Sequence, residues 1–400
     1  MTSTVNLLAP LANQQFSTRA GNFTSDSNAL VSGVPIGGTA LADLVDSGCV
    51  PLASNPFANP RNIIDGGDFS INPWQRNIPA LASGGVISTA ITNTLTYFAD
   101  RFFAVGGSAS SAILMANVAD TSVPGFSNSL LLTRQSGNTN TAAITFGQVV
   151  ETADSLKAQG QTVTLSFWAR AGANYSGGSL SVALQSGTGS NQSSASLITS
   201  SWTGQASVTL TPWSQAGTAG APATQPITSA MTRYAFTGVV PLSATQLAVT
   251  VSFTPSGTAG TQDGIFINGV QLEIGASPSP FEREDIAIVT QECQRYAFVL
   301  PEPASGVVVA SGVNTGGGAQ LLELALPQPM WKVPTNVTTV LGSFKTQQGG
   351  TLTAITTLAA NSAHTQYQVG LTANSTGTVG QGTMLQGGGG AGAIIISTDL

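Results

Sequence analysis

The stretch QTVTLSFWAR, residues 161–170, alternates without a break. Val163, Leu165, Phe167 and Ala169 fall on one side, and Thr164, Ser166, Trp168 and Arg170 on the other. Successive side chains of a strand point to opposite faces, so this period fits a strand with one face on a core and does not fit a helix. SLSVALQ (179–185), ASVTLTPW (206–213), MTRYAFTGVV (231–240) and QLAVTVSF (246–253) repeat the alternation, and GIFINGVQLEIG (264–275) reads as a final strand. Gly, Ser and Pro separate these runs and no helical repeat intervenes, which predicts an antiparallel sandwich of the jelly-roll kind over residues 61–282.

The flanks read differently. Residues 1–60 show no sustained period beyond one short helix candidate, Ala40–Asp46, and they end in PLASNPFANP. A segment with so few periodic apolar positions has no core of its own, and Pro51, Pro56 and Pro60 give it an extended exit. After the sandwich, Ile286, Val289, Cys293 and Tyr296 recur at helical spacing and predict a linking helix within 283–302. Glu282, Glu284 and Asp285 crowd its start and Arg295 sits near its end, the polarity a helix dipole favours; the three acids are read as a cap at a domain junction. Beyond Pro303, runs such as GVVVASG, TNVTTVLGSF and AGAIIISTDL predict a smaller β-domain over 303–400.

Composition narrows the function. Only 8% of the residues are charged, against about 25% in an average globular chain. Lysine occurs only as Lys157, Lys332 and Lys345, so no basic run exists to neutralise phosphates, and nucleic acid is excluded as a partner. No stretch approaches the roughly 18 apolar residues of a membrane helix, and the start MTSTVNLLAPLANQQ lacks the basic, apolar pattern of a secretory leader. Cys49 and Cys293 are read as two buried thiols, with a disulfide between them left open.

Several motifs, NIIDGGDFSINPWQR (62–76), VTLSFWARA, TRYAFTG and above all GVQLEIGASPSPFERE…CQRYAF (269–298), resemble the carbohydrate-binding-module-like jelly rolls of bacteriophage tail fibres and related virion appendages. That resemblance implies a virion location and attachment to other virion proteins through residues 1–60. It also implies contact with host-surface polysaccharide, and the Gly-rich, charge-poor C-terminal region and coreless N-terminus predict surfaces completed by neighbouring copies in a homotrimer. Jelly rolls of this type often carry a structural calcium, for which Asp68 and Asp263 resemble suitable positions. No other cofactor is expected. The alternatives are a decoration or connector protein with no external ligand, and a glycan-degrading spike.

The chemistry legible in the sequence favours binding over catalysis. The single histidine, His364, has no acid nearby in sequence to hold it in a triad. Two scattered cysteines and one histidine do not make a zinc site, and LQGGGGAGA lacks the Lys and Ser/Thr of a phosphate loop. Glycoside hydrolysis needs two facing carboxylates, and no motif pairs any two of Asp68, Asp100, Glu151, Asp154, Asp263 and Glu273. Sugar binding needs flat aromatic faces and a few polar groups. Trp168, Arg170, Tyr175, Trp202 and Trp213 are the candidates, several of them beside Ser/Thr/Asn-rich loops.

Overall fold

The computed structural model describes residues 29–31, 34–36, 62–69, 90–97, 101–213, 224–334 and 336–398. The chain divides into two units, Met1–Pro60 and Arg61–Leu400. In the first, β1 (Ala29–Val31) and β2 (Val34–Ile36) form an antiparallel hairpin, which the sequence reading of 1–60 does not anticipate. The helix expected at Ala40–Asp46 and the residue Cys49 lie outside the described residues.

The second unit opens with β3 (Thr96–Tyr97), β4 (Phe103–Gly106), β5 (Ile113–Ala119), β6 (Asn128–Arg134) and β7 (Ile144–Val149). A short helix, α1 (Thr152–Ser155), leads to β8 (Thr162–Ala171) and β9 (Ser179–Gly187). A second, α2 (Ser194–Ile198), precedes β10 (Ala206–Val208), β11 (Thr211–Pro212) and β12 (Thr224–Pro226). The sandwich is completed by β13 (Thr232–Val239), β14 (Gln246–Phe253) and β15 (Asp263–Ile274).

Two antiparallel sheets face each other: β10-β9-β14-β7-β4-β3 with β12 beside β9, and the six-stranded β11-β13-β8-β15-β6-β5. The protein is an all-β chain built on a jelly-roll sandwich. The predicted alternation of β8 is the observed one, with Val163, Leu165, Phe167 and Ala169 all fully buried. They meet Leu180, Val182, Leu184, Val249, Val251 and Phe146 from the other sheet in one core. Phe146 stacks on Phe102 at 4.9 Å. Each such side chain stabilises the sandwich by about 1.5–3 kcal/mol of apolar transfer.

Within the expected linking segment, the helix α3 spans only Ile286–Gln294. Residues Ala297–Pro301 are instead strand β16, hydrogen-bonded to the last strand of the chain. The helical spacing ended where Phe298, Val299 and Leu300 began an apolar run, and pairing with that strand decided their conformation. There follow β17 (Val308–Gly316), β18 (Ala319–Ala325), β19 (Asn336–Val340), β20 (Lys345–Gln348) and β21 (Thr351–Ala354). The last are β22 (Thr357–Ala360), β23 (Gln368–Asn374), β24 (Gly382–Gln386) and β25 (Ala393–Ser397). They form a three-stranded sheet, β16-β25-β19, and a seven-stranded sheet, β21-β20-β24-β17-β18-β23-β22, with Leu322, Phe344, Leu371, Leu385 and Ile394 in a separate core. Among the described residues no helix is long and apolar enough to cross a membrane.

Candidate functional site

The face of the six-stranded sheet turned away from the core carries the sequence-predicted Trp168 and Arg170. Strand register places Arg233 of β13 and Asn268 of β15 directly beside Trp168, one on each side. Asn268 in turn donates through Nδ2 to Ser129 Oγ on β6 at 2.9 Å. This gives a transverse row Arg233–Trp168–Asn268–Ser129. The next row holds Arg170 and, opposite it, Phe266, which is itself paired with Leu131. The Arg170 guanidinium lies 3.5 Å above the Phe266 ring and reaches Asp120 Oδ2 at 3.3 Å. Trp168 is half-buried, while Asn268 is fully buried and its Oδ1 has no hydrogen-bond partner. Trp213 borders the same sheet: its N–H donates to Ala235 O on β13, and it is 39% exposed.

One end of this face is closed by the charged segment that follows β15. Ser279 donates from N and Oγ to the Glu273 carboxylate at 2.8 and 2.6 Å. Arg233 donates to Ser279 O and to Ser166 Oγ. Gln271 Oε1 takes the N–H of Glu282 at 2.8 Å, and Phe281 packs on Phe126 at 5.2 Å. The segment 275–284 is thus a strap across the sheet, with Glu273 buried beneath it.

The other predicted residues go elsewhere. Trp202 is 4% exposed, packs with Phe103 and Leu197, and donates from Nε1 to Ser193 O at 2.8 Å; it is core, not a sugar platform. Tyr175 leans on the sandwich core against Phe253 at 5.4 Å, away from the Trp168 row. Burial and the nearby Asp263 carboxylate push its phenol above the usual range. Asp68 and Asp263 are not brought together. Asp263 opens β15 and gives its oxygens to Arg134 (2.8 and 2.5 Å) and to Ser176 N (2.8 Å). Asp68 faces Arg283 at 3.6 Å, and its neighbour Gly67 lies against Val270, about 23 Å further along the strand at ~3.3 Å per residue. A calcium shared by these two acids does not fit that placement. His364 accepts a backbone N–H from Gly370 in a loop, and Asp100 lies outside the described residues.

The acids at the start of α3 also divide. Asp285 is the cap, accepting from Ala287 N at 2.8 Å. Glu282 instead holds Asn62 N at 2.9 Å, tying the strap to the first described residue of the sandwich. Glu284 does not cap: burial, then repulsion from Asp65 and Glu282, pushes its carboxyl up to about 7. Burial, then Asp65 and Glu284, pushes Glu292 up to about 8. Arg101 stands among them, bonded to Asp65 at 2.9 Å and 3.5 Å above the Tyr296 ring, while Arg295 pairs with Glu151 at 3.1 Å. The hollow at the helix start, lined by Asn62, Asp68, Phe281, Glu284 and Val289, is about 30 Å³. That is room for one water, not for a sugar ring. A larger hollow of about 470 Å³ between Phe298, Leu300, Val307, Leu324 and Pro327 is lined by apolar residues throughout.

Sequence reasoning missed Arg233, Asn268, Ser129 and Asp120. Arg233 was within reach, since the alternation of TRYAFTG sets it opposite the buried Tyr234 and Phe236. Asn268 was within reach in the same way, opposite the buried Ile265 and Ile267, but the left-handed Gly269 after it inserts a bulge that shifts the period of the rest of β15.

No protein-family model matches the chain, and no curated protein matches it. Solved structures do superpose on parts of it. The enzymatically active domain of bacteriophage CBA120 tailspike protein 4 aligns at 15% identity over 54% of this chain, with a TM-score of 0.29. The chain spans only 22% of that domain's length. The CBM22 tandem domain of Paenibacillus barcinonensis Xyn10C aligns at 12% identity over 79% of this chain and 98% of its own, with a TM-score of 0.27. The CBM22-1–GH10 modules of Clostridium thermocellum xylanase 10B, solved with xylohexaose, align at 9% identity over 50% of this chain and 29% of theirs, with a TM-score of 0.25. These superpositions are loose and partial.

Proposed function

We propose that the jelly roll binds glycan on the open part of its six-stranded sheet, and that the chain is a non-enzymatic subunit of a virion fibre or spike. The observation that carries the binding reading is Trp168, a half-buried indole on the outer face with the partly exposed guanidiniums of Arg233 and Arg170 beside it, while the fully buried Asn268 and Ser129 brace the row within the sheet. An aromatic face supplies area to a sugar ring, and neighbouring polar groups fix its hydroxyls. The sequence likeness to virion appendages supports the setting, with residues 1–60 as the attachment segment and further copies of the chain beside it. Sites of this kind are weak, about −4 kcal/mol at millimolar Kd, and many copies on one particle raise the effective affinity. The test is retention of purified protein by host-surface polysaccharide. Trp168→Ala is expected to weaken retention at least about tenfold, or ~1.4 kcal/mol, at an unchanged melting temperature. Undiminished retention by that variant overturns the proposal.

A further inference from the structure

The two arginines beside Trp168 distinguish this face from a neutral sugar platform. Among the described residues, the one hydrogen bond of Arg170 is the 3.3 Å contact to Asp120, which uses one of its five N–H donors. Asp120 is held by more than this pair. Ser122 donates to Asp120 from both N and Oγ, and Ser129 Oγ donates at 3.1 Å, so that despite burial these bonds, with the smaller help of the Arg170 charge, hold the carboxyl below its usual range. The guanidinium plane is fixed by the Phe266 ring beneath it, and the pair is 26% exposed on the arginine side and 4% on the aspartate side. The second acid of the face, Glu273, is 3% exposed and engaged by Ser279 and Gln271. Both carboxylates are therefore sunk and internally bonded, while the guanidiniums of Arg170 and Arg233 flank the indole. The charged groups this face exposes are thus guanidiniums rather than carboxylates, on a chain whose net charge is −6.

Resting on the glycan-binding reading above, we propose that the ligand is an acidic saccharide, with a sugar ring on Trp168 and its carboxylate in the fork of Arg170. A planar guanidinium held flat presents parallel donors that match a carboxylate, which lysine or an amide does not. Bulk attraction cannot imitate this, because a protein of negative net charge repels a polyanion as a whole.

The test is affinity electrophoresis of the full chain in gels containing a polyuronate, the same polymer with its carboxyls reduced to alcohols, or neutral dextran. The melting temperature of each variant is recorded alongside. The wild type is expected to be retarded by the polyuronate, at least about tenfold less by the reduced polymer, and less again as salt is raised. Arg170→Gln should lose that preference, and Arg170→Lys, which keeps the stem over Phe266 and the charge, should keep part of it. Equal retardation by the polyuronate and its reduced form, or full retention of the preference by Arg170→Gln, overturns the acidic-ligand inference and leaves glycan binding standing. No retardation of the wild type by the polyuronate overturns the inference as well. Retardation that Trp168→Ala does not change, at an unaltered melting temperature, places binding elsewhere and overturns the underlying reading too.

Discussion

At the scale of single residues, the three acids at the start of α3 act in three ways: Asp285 caps it, Glu282 holds Asn62 N, and Glu284 is a buried acid. Glu284 and Glu292 have folded-state values of about 7 and about 8, raised by burial first and by neighbouring acids second. A carboxyl raised above its unfolded value of about 4.3 binds more protons when folded, so its contribution is intact below that value and is lost as pH rises through the folded one. The melting temperature is therefore expected to fall between about pH 5 and about pH 8. Glu292→Gln should flatten the fall, raising the melting temperature more at the alkaline end. A variant that instead loses stability at high pH contradicts the assignment. In the buried Arg134–Asp263 pair, Asp263→Ala strands a guanidinium that is 2% exposed and should cost about 3–5 kcal/mol in denaturant unfolding. Trp168 and Arg170 were legible because strict alternation assigns a face. Trp202 and Tyr175 sit in irregular segments where no period exists, so tertiary packing alone decided their burial.

At the scale of elements, the glycine run LQGGGGAGA has a structural use that its composition could not reveal. The Glu302 carboxylate accepts N–H groups from Gly388 (2.7 Å), Ser343 (2.9 Å) and Gly392 (2.9 Å), so the run forms a backbone nest around an anion supplied by the same chain. A Cβ on Gly392 would stand 2.7 Å from that carboxylate and 2.9 Å from the Phe344 ring, which explains why a side chain is absent there. Burial raises the Glu302 carboxyl, but these backbone bonds outweigh it and hold the group below its usual range. Its stabilisation is thus present above the unfolded value and lost as pH falls through the folded one. Glu302→Gln should lower the unfolding free energy at neutral pH by about 1.5–3 kcal/mol, as for a charge-assisted acceptor, with the gap to wild type closing in acid. A gap that persists unchanged in acid contradicts the nest. The sandwich strands were legible from period alone. The turn from α3 into β16 was not, because its partner β25 lies almost 100 residues away in sequence.

For the whole molecule, the division at Pro60 separates a segment proposed for attachment from a unit with two cores of its own. A fragment of residues 61–400 is expected to keep the melting transition and the polysaccharide retention of the full chain but to be absent from assembled particles. Normal incorporation of the fragment would show that attachment lies elsewhere. The central claim, that the outer face of the six-stranded sheet is the binding surface, is tested most directly through the indole N–H resonances of the 5 tryptophans. Trp202 and Trp331 already donate to Ser193 O and Thr398 O inside the fold. Titration with an acidic oligosaccharide should move the signal that Trp168→Phe removes, leave those of Trp202 and Trp331 in place, and shift Trp213 less than Trp168. Movement of the Trp331 signal with that of Trp168 fixed would contradict the account and put the ligand at the seam with the C-terminal sheets.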